Sequence, residues 1–360
     1  MTLRVAASFE HGANITAMWA ALGHSHNDDG TDSFQTATPR WAGSRYWRSN
    51  AASTSEQSTH LKAGLFSGNI FWGGLAFRSL AGSGTASSVF GLHRGATAYT
   101  TDVTGTLENA TYGVFYLNWI SGTSYQVHQG DGTALGSPFT LDDATWYWLS
   151  WEVNSLDAGT LTFRVNDADI ITALAGDYAG TASTGSYWSF LIDSGKSGWE
   201  FDDMIFGDGA GSVNTGIPTD SRIVLLAPDA DDSNTGFTVR FPAGPDNIFS
   251  KIAESPQDDD TSYVESGTVS DQYTVTTADL PFSPSAIRAI QTVFTARKTG
   301  TDLITVRPRI YSGAAYYNGV DLALGSDYLS QGDLWELDPA TAAAWTETNV
   351  NALKVSGILV

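Results

Sequence analysis

At 360 residues the chain is long for one core and short for three, which suggests two domains. Its 18 basic and 39 acidic residues give a net charge of −21, which argues against nucleic acid or an anionic membrane as a general partner. Cysteine is absent while Trp, Tyr and Phe are plentiful, so this is a folded chain with neither disulfide nor thiolate chemistry.

The first ten residues, MTLRVAASFE, do not read as a secretory signal, and no apolar run is long enough for a spanning helix. Short alternating segments separated by turn residues then recur, the pattern of an all-β sandwich. Residues 112–120 and 124–128 flank Ser121-Gly122-Thr123 as a hairpin, and Gly130-Asp131-Gly132 turns the chain again. Residues 146–153, WYWLSWEV, are bulky on both faces and predict a central strand. Residues 160–165 place Leu161, Phe163 and Val165 on one face, so the two segments are expected to form a hairpin with one wet edge.

Composition changes near residue 210. All six histidines and ten of the twelve tryptophans precede it, although the charge divides almost evenly, −11 through Asp208 and −10 beyond. The Gly-rich stretch 209–217 before Pro218 reads as a linker between a first domain at 1–208 and a second at 218–360. In the second domain, 222–226, 236–241, 271–276, 287–298 and 304–311 read as extended. Near the end, Thr346 can cap a short helix over 347–353, with Glu347 at its positive end and Trp345 stapled onto Val350. Residues 357–360 return as a strand.

Residues 145–173, TWYWLSWEVNSLDAGTLTFRVNDADIITA, together with 201–207, FDDMIFG, resemble the strands of concanavalin A-like lectin/glucanase jelly rolls, the laminin-G-like group. That resemblance implies an all-β fold, a jelly-roll sandwich followed by a smaller β-sandwich-like domain with one short C-terminal helix. It does not imply one activity, because this sandwich carries lectins, glycosidases and structural modules alike. Residues 217–228 (IPTDSRIVLLAP), 257–264 (QDDDTSYV) and 338–346 (DPATAAAWT) resemble segments of tailed-bacteriophage structural proteins. They imply a virion component of the neck, tail or an appendage, assembled in the host cytoplasm and leaving by lysis.

Candidate sites divide by their chemistry. Glu200 and Asp202 share a strand face near the carboxylate separation of retaining glycosidases, but Met204 stands where the related glucanases carry their outer carboxylate, so a structural role is expected. Asp28, Asp29 and Asp32 around Gly30 are an oxygen-rich loop lacking the full spacing of a calcium site, and His24 and His26 have no partner that would make a zinc site. Asp229–Asp232 and Asp258–Asp260 read as solvated acidic loops, with recognition or cation-bridging roles as the alternative. Trp41, Tyr46, Trp47 and Trp72 offer faces for sugar rings, although most are expected in the core. Gly82-Ser83-Gly84 lacks a following helix pattern, and there is neither a nucleophile elbow nor a phosphate loop.

The expectation is therefore a non-enzymatic structural protein of a tailed-phage particle with no catalytic, cofactor or metal residues. Its partners would be copies of itself, a trimer for an appendage, and other virion proteins. Neither nucleic acid nor membrane insertion is expected. A carbohydrate-binding adsorption protein contacting host glycan is the alternative, and a glycoside hydrolase a weaker one.

Overall fold

The computed structural model describes residues 2–7, 25–27, 33–37, 39–41, 46–48, 57–60, 66, 68–80, 87–95, 113–155, 157–179, 187–192, 198–211, 213–214, 216–241, 247–253 and 260–360. The chain separates into two compact units, and among the described residues the first runs through Ile223 and the second starts at Val224.

The first unit is a sandwich of two antiparallel sheets. One contains β1 (Thr2–Ala7), β3 (Ser33–Gln35), β4 (Tyr46–Arg48), β6 (Ile70–Ser79), β11 (Trp146–Asn154), β12 (Gly159–Val165), β13 (Ala168–Gly176) and β15 (Trp199–Asp208). They run in the order β13-β12-β11-β6-β15-β4-β3, with β1 also on β15. The other contains β2 (Ser25–Asn27), β5 (Gln57–His60), β7 (Ser87–Gly95), β8 (Gly113–Ser121), β9 (Ser124–Gln129), β10 (Ala134–Thr140) and β14 (Tyr187–Ile192), in the order β10-β9-β8-β7-β14-β5-β2. The all-β jelly-roll expectation and the predicted 112–120/124–128 hairpin are thus met.

Aromatic rings fill the space between the sheets. Trp151 of β11 lies 5.4 Å from Phe90 and 5.6 Å from Phe115, both on the opposite sheet, and Phe71 stacks on Trp188 at 4.6 Å. These side chains are almost wholly removed from water, each contributing about 1.5–3 kcal/mol on burial. Gly73 makes room for them, since a Cβ there would fall 2.6 Å from the Trp151 ring and 2.9 Å from Phe206.

β11 is central and pairs with β12 as predicted, but the hairpin does not end the sheet. Asn166 and Asp167, at φ 47° and 65°, make the two-residue turn with both central residues left-handed that suits a twisted hairpin, and β13 returns to cover β12. β13 is the outer strand. Its ladder on β12 slips twice, between Leu161 and Phe163 and between Phe163 and Arg164, and such bulges make an edge a poor template for further strands.

The second unit is built on a sheet of β16 (Pro228–Thr235), β19 (Gln272–Thr277), β25 (Lys354–Leu359), β21 (Thr305–Ser312), β22 (Ala315–Asn318) and β23 (Leu322–Ala323). Two ribbons accompany it, β17 (Thr238–Phe241) with β18 (Tyr263–Glu265), and β20 (Ile290–Ala296) with β24 (Leu329–Trp335). Residues 222–226, expected as a strand, carry no ladder. The acidic run expected as a loop, 229–232, instead lies in edge strand β16, where charge and a twice-slipped register guard the edge. Besides the predicted C-terminal helix there is a one-turn helix, α1 (Phe249–Ile252).

The C-terminal helix, α2 (Glu347–Asn351), is capped as predicted, the Thr346 side chain accepting from the Asn349 N–H at 3.2 Å. Trp345 and Val350 share a core cluster with Ile310 and Leu353. No described helix is long and apolar enough to cross a membrane.

Gly73→Val should push a branched side chain into the Trp151 and Phe206 rings and cost about 1–3 kcal/mol. Urea unfolding followed by tryptophan fluorescence, which reports mainly the first unit, checks this as a lower midpoint.

Candidate functional site

The acidic cluster singled out in the sequence lies on β15, in the middle of the first sheet. Opposed residues of an antiparallel pair share a face, so register assigns the sides. Phe201 stands opposite Phe77 and points into the aromatic core, whereas Glu200 stands opposite Arg78 and Asp202 opposite Ala76, on the outer face. Glu200 and Asp202 do share a face, as expected.

Glu200 is fully buried and doubly paired. Its Oε1 accepts from Arg48 Nε at 2.8 Å and Nη2 at 2.5 Å, and its Oε2 accepts from Arg78. Tyr46 and Trp146 roof the pairs, the Arg78 guanidinium lying 5.4 Å from the Tyr46 ring centre and 4.9 Å from that of Trp146. A carboxylate so held is neither a free nucleophile nor an acid that can approach a glycosidic oxygen.

Asp203 owes its position to a bulge. Between Asp202 and Ile205 β15 carries one residue more than β6 does between Ala76 and Gly74, and Asp203 takes a left-handed φ of 50°. Its Oδ2 accepts from Arg40 Nη1 at 2.8 Å and Trp41 Nε1 at 2.7 Å, and its Oδ1 from the backbone N–H of Ile223 at 2.7 Å. Burial pushes this carboxyl up to about 6, against the pull of Arg40 and the backbone donor toward the charged form.

The bond to Ile223 is one of several that tie residues 218–223 across the outer face. Trp148 Nε1 donates to the Pro218 carbonyl at 3.0 Å, Arg40 Nη1 to the Ser221 carbonyl at 2.9 Å, and the Asp220 N–H to Asp167 Oδ1 at 3.1 Å. A Cβ at Gly74 would fall 2.4 Å from the Trp148 ring and 3.0 Å from Pro218, so that part of the face is filled by the chain's own strap.

The four aromatic residues proposed for sugar contact do not form a platform. Tyr46, Trp47 and Trp72 are buried, Trp47 against Phe201 and Trp72 donating to the Asp208 carbonyl at 3.0 Å. Trp41 is half-buried between the guanidinium groups of Arg40 and Arg222, at 4.7 and 4.8 Å. Residue-by-residue reading missed the basic half of this site, Arg40, Arg48 and Arg78. The available signal was a lone Arg closing the apolar run Ile70–Ser79, in a strand otherwise without charge.

The other acidic candidates stay exposed but are engaged by the fold's own donors. Asp231 accepts from the N–H groups of Ile248 and Phe249 at 3.0 and 2.7 Å, opening helix α1, and Asp232 pairs with Lys354 at 2.5 Å. Asp260 pairs with Arg297 and accepts from the Tyr328 hydroxyl, while Asp258 and Asp259 lie outside the described residues. So do Asp28, Asp29, Gly30, Asp32, His24, the His26 side chain and Gly82-Ser83-Gly84. Among the described residues no group of three His, Asp or Glu is placed to hold a metal.

No family model matches the sequence, and no curated protein does. Solved structures similar to the chain include an endo-β-1,4-glucuronan lyase from the fungus Trichoderma reesei, at 9% identity and TM-score 0.39, covering 57% of this chain and 96% of that one. A carbohydrate esterase from Shiga toxin-encoding bacteriophage phi24B is similar at 14% identity and TM-score 0.39, covering 58% and 99%. The carbohydrate recognition domain of Emp46p, in its metal-free form, is similar at 12% identity and TM-score 0.37, covering 56% and 94%.

A carboxyl whose folded value exceeds its unfolded one binds its proton more tightly in the fold. Its contribution to stability is therefore complete below about pH 4 and falls away as pH rises to about 6, by at most about 3 kcal/mol for Asp203. Asp203→Asn should lose that segment of the pH profile. Unfolding free energies at pH 4 and 6.5 for both proteins check this, and parallel profiles would contradict it.

Proposed function

We propose that the chain is a non-enzymatic structural protein of a tailed-phage particle that works by oligomeric assembly, with copies of itself and with other particle proteins. The observation that carries this reading is the strap. A sheet face on which a lectin-like sandwich would receive a ligand is here partly occupied by residues 218–223, through Pro218, Ser221 and Ile223. The carboxylates that hydrolysis would require are consumed in the same arrangement, Glu200 by two arginines and Asp203 by three donors.

The sequence likeness of residues 217–228, 257–264 and 338–346 to phage structural proteins supplies the setting, and the particle in the host cytoplasm is the corresponding location. An acidic surface shared by both halves suits a part that must stay dissolved at high copy until it meets its neighbours.

Mass spectrometry of purified particles should find the chain at several copies per particle. Light scattering of the isolated protein should give a closed oligomer, a trimer if it is an appendage. A monomeric protein absent from particles would overturn the assignment.

A further inference from the structure

The polar face of the second unit's main sheet holds a positive charge that no carboxylate among the described residues neutralises. Register places Thr274, Ser356 and Arg309 side by side across β19, β25 and β21, with Asn318 of β22 beyond Arg309. Arg309 Nη2 donates to Gln272 Oε1 at 2.7 Å and to Ser356 Oγ at 3.0 Å, and its guanidinium lies 4.3 Å from the centre of the Tyr316 ring. Tyr316 is fixed in turn by a 2.8 Å hydrogen bond between its hydroxyl and Thr274 Oγ1.

Each neighbouring cation on this face has a carboxylate. Arg307 is paired with Asp321 and Lys354 with Asp232. Arg309 has none among the described residues, only neutral acceptors, and its buried Nε makes no hydrogen bond. Burial and the nearby Arg307 lower its proton affinity, as expected of a cation lacking an anion. In a chain of net charge −21, a cation oriented by two hydrogen bonds and a ring, yet without a counter-charge among the described residues, is an unusual arrangement.

We infer that this surface binds a carboxylate-bearing saccharide, the acid group against Arg309 and the sugar hydroxyls among Gln272, Asn318 and the exposed edge of Tyr316. A saccharide suits the surroundings better than an acidic peptide. The groups that touch Arg309 are the uncharged Gln272, Ser356 and Tyr316, the last with an exposed edge, and the neighbouring cations Arg307 and Lys354 are already paired, so a row of acidic side chains would meet a single open charge. The inference deepens the adsorption alternative and does not rest on the assembly reading.

The test titrates the full chain with tri-galacturonate, maltotriose and a hexa-aspartate peptide at low salt, by calorimetry or NMR. Tri-galacturonate should bind roughly tenfold or more tightly than either of the others. Arg309→Gln should weaken it by a similar factor, Arg309→Lys by less, and Lys298→Gln, a surface control, not at all. No binding of tri-galacturonate, equal binding of maltotriose, preference for the peptide, or affinity unchanged in Arg309→Gln would each overturn the inference. The comparison of the three ligands on the unmodified chain stands even if a variant folds poorly. Particle composition and oligomeric state are separate measurements, so failure here leaves the assembly proposal standing.

Discussion

Much of the first unit's outer face depends on one buried carboxylate that must be kept supplied with donors. Asp203 is almost inaccessible to water, and a carboxyl in that position is costly unless hydrogen bonds replace its hydration. The bulge in β15 turns it outward, and Arg40, Trp41 and the Ile223 backbone then close around it. Because one of those donors belongs to the segment leaving the sandwich, satisfying the carboxylate also lays that segment over Gly74 and Trp148. The same polar requirement therefore shapes the face and lays the chain's own segment over part of it.

The Glu200 cluster, two strands' width from the sheet edge, obeys the same rule with charge in place of backbone. Buried ion pairs contribute little net stability, because desolvation offsets attraction, but a lost partner leaves a bare charge inside. Arg48 and Arg78 are thus fixed by Glu200 as much as Glu200 is fixed by them, and the Tyr46 and Trp146 rings cover the Arg78 pair, while Arg48 keeps part of its side chain in water.

Much of this was legible in the chain. The alternation of 146–153 and 160–165, the Gly-containing turns and the Thr346 cap act locally, and the structure has them within a residue or two. Asn166 and Asp167 adopt the two positive φ values their hairpin requires, which both residue types tolerate. What failed to read were features created by partners far away in sequence. Asp229–Asp232 looks like a solvated loop until β19 is placed beside it, and 222–226 looks like a strand until the Ile223 N–H is seen to be spent on Asp203. The arginines of the candidate site escaped notice for the same reason, since Arg48 and Glu200 lie 152 residues apart.

The position of β15 also governs how the first unit can come into being. Its neighbours β1, β4 and β6 all precede it by more than a hundred residues, so none of those ladders closes until the last strand of the unit exists. Long loop closures of that kind slow folding. During synthesis β6 and β4 must wait with open edges beside the rings they will later bury, which makes the incomplete sandwich a strong client for chaperones and prone to pairing with other unfinished copies. A chain ending before residue 199 would hold that exposed state permanently.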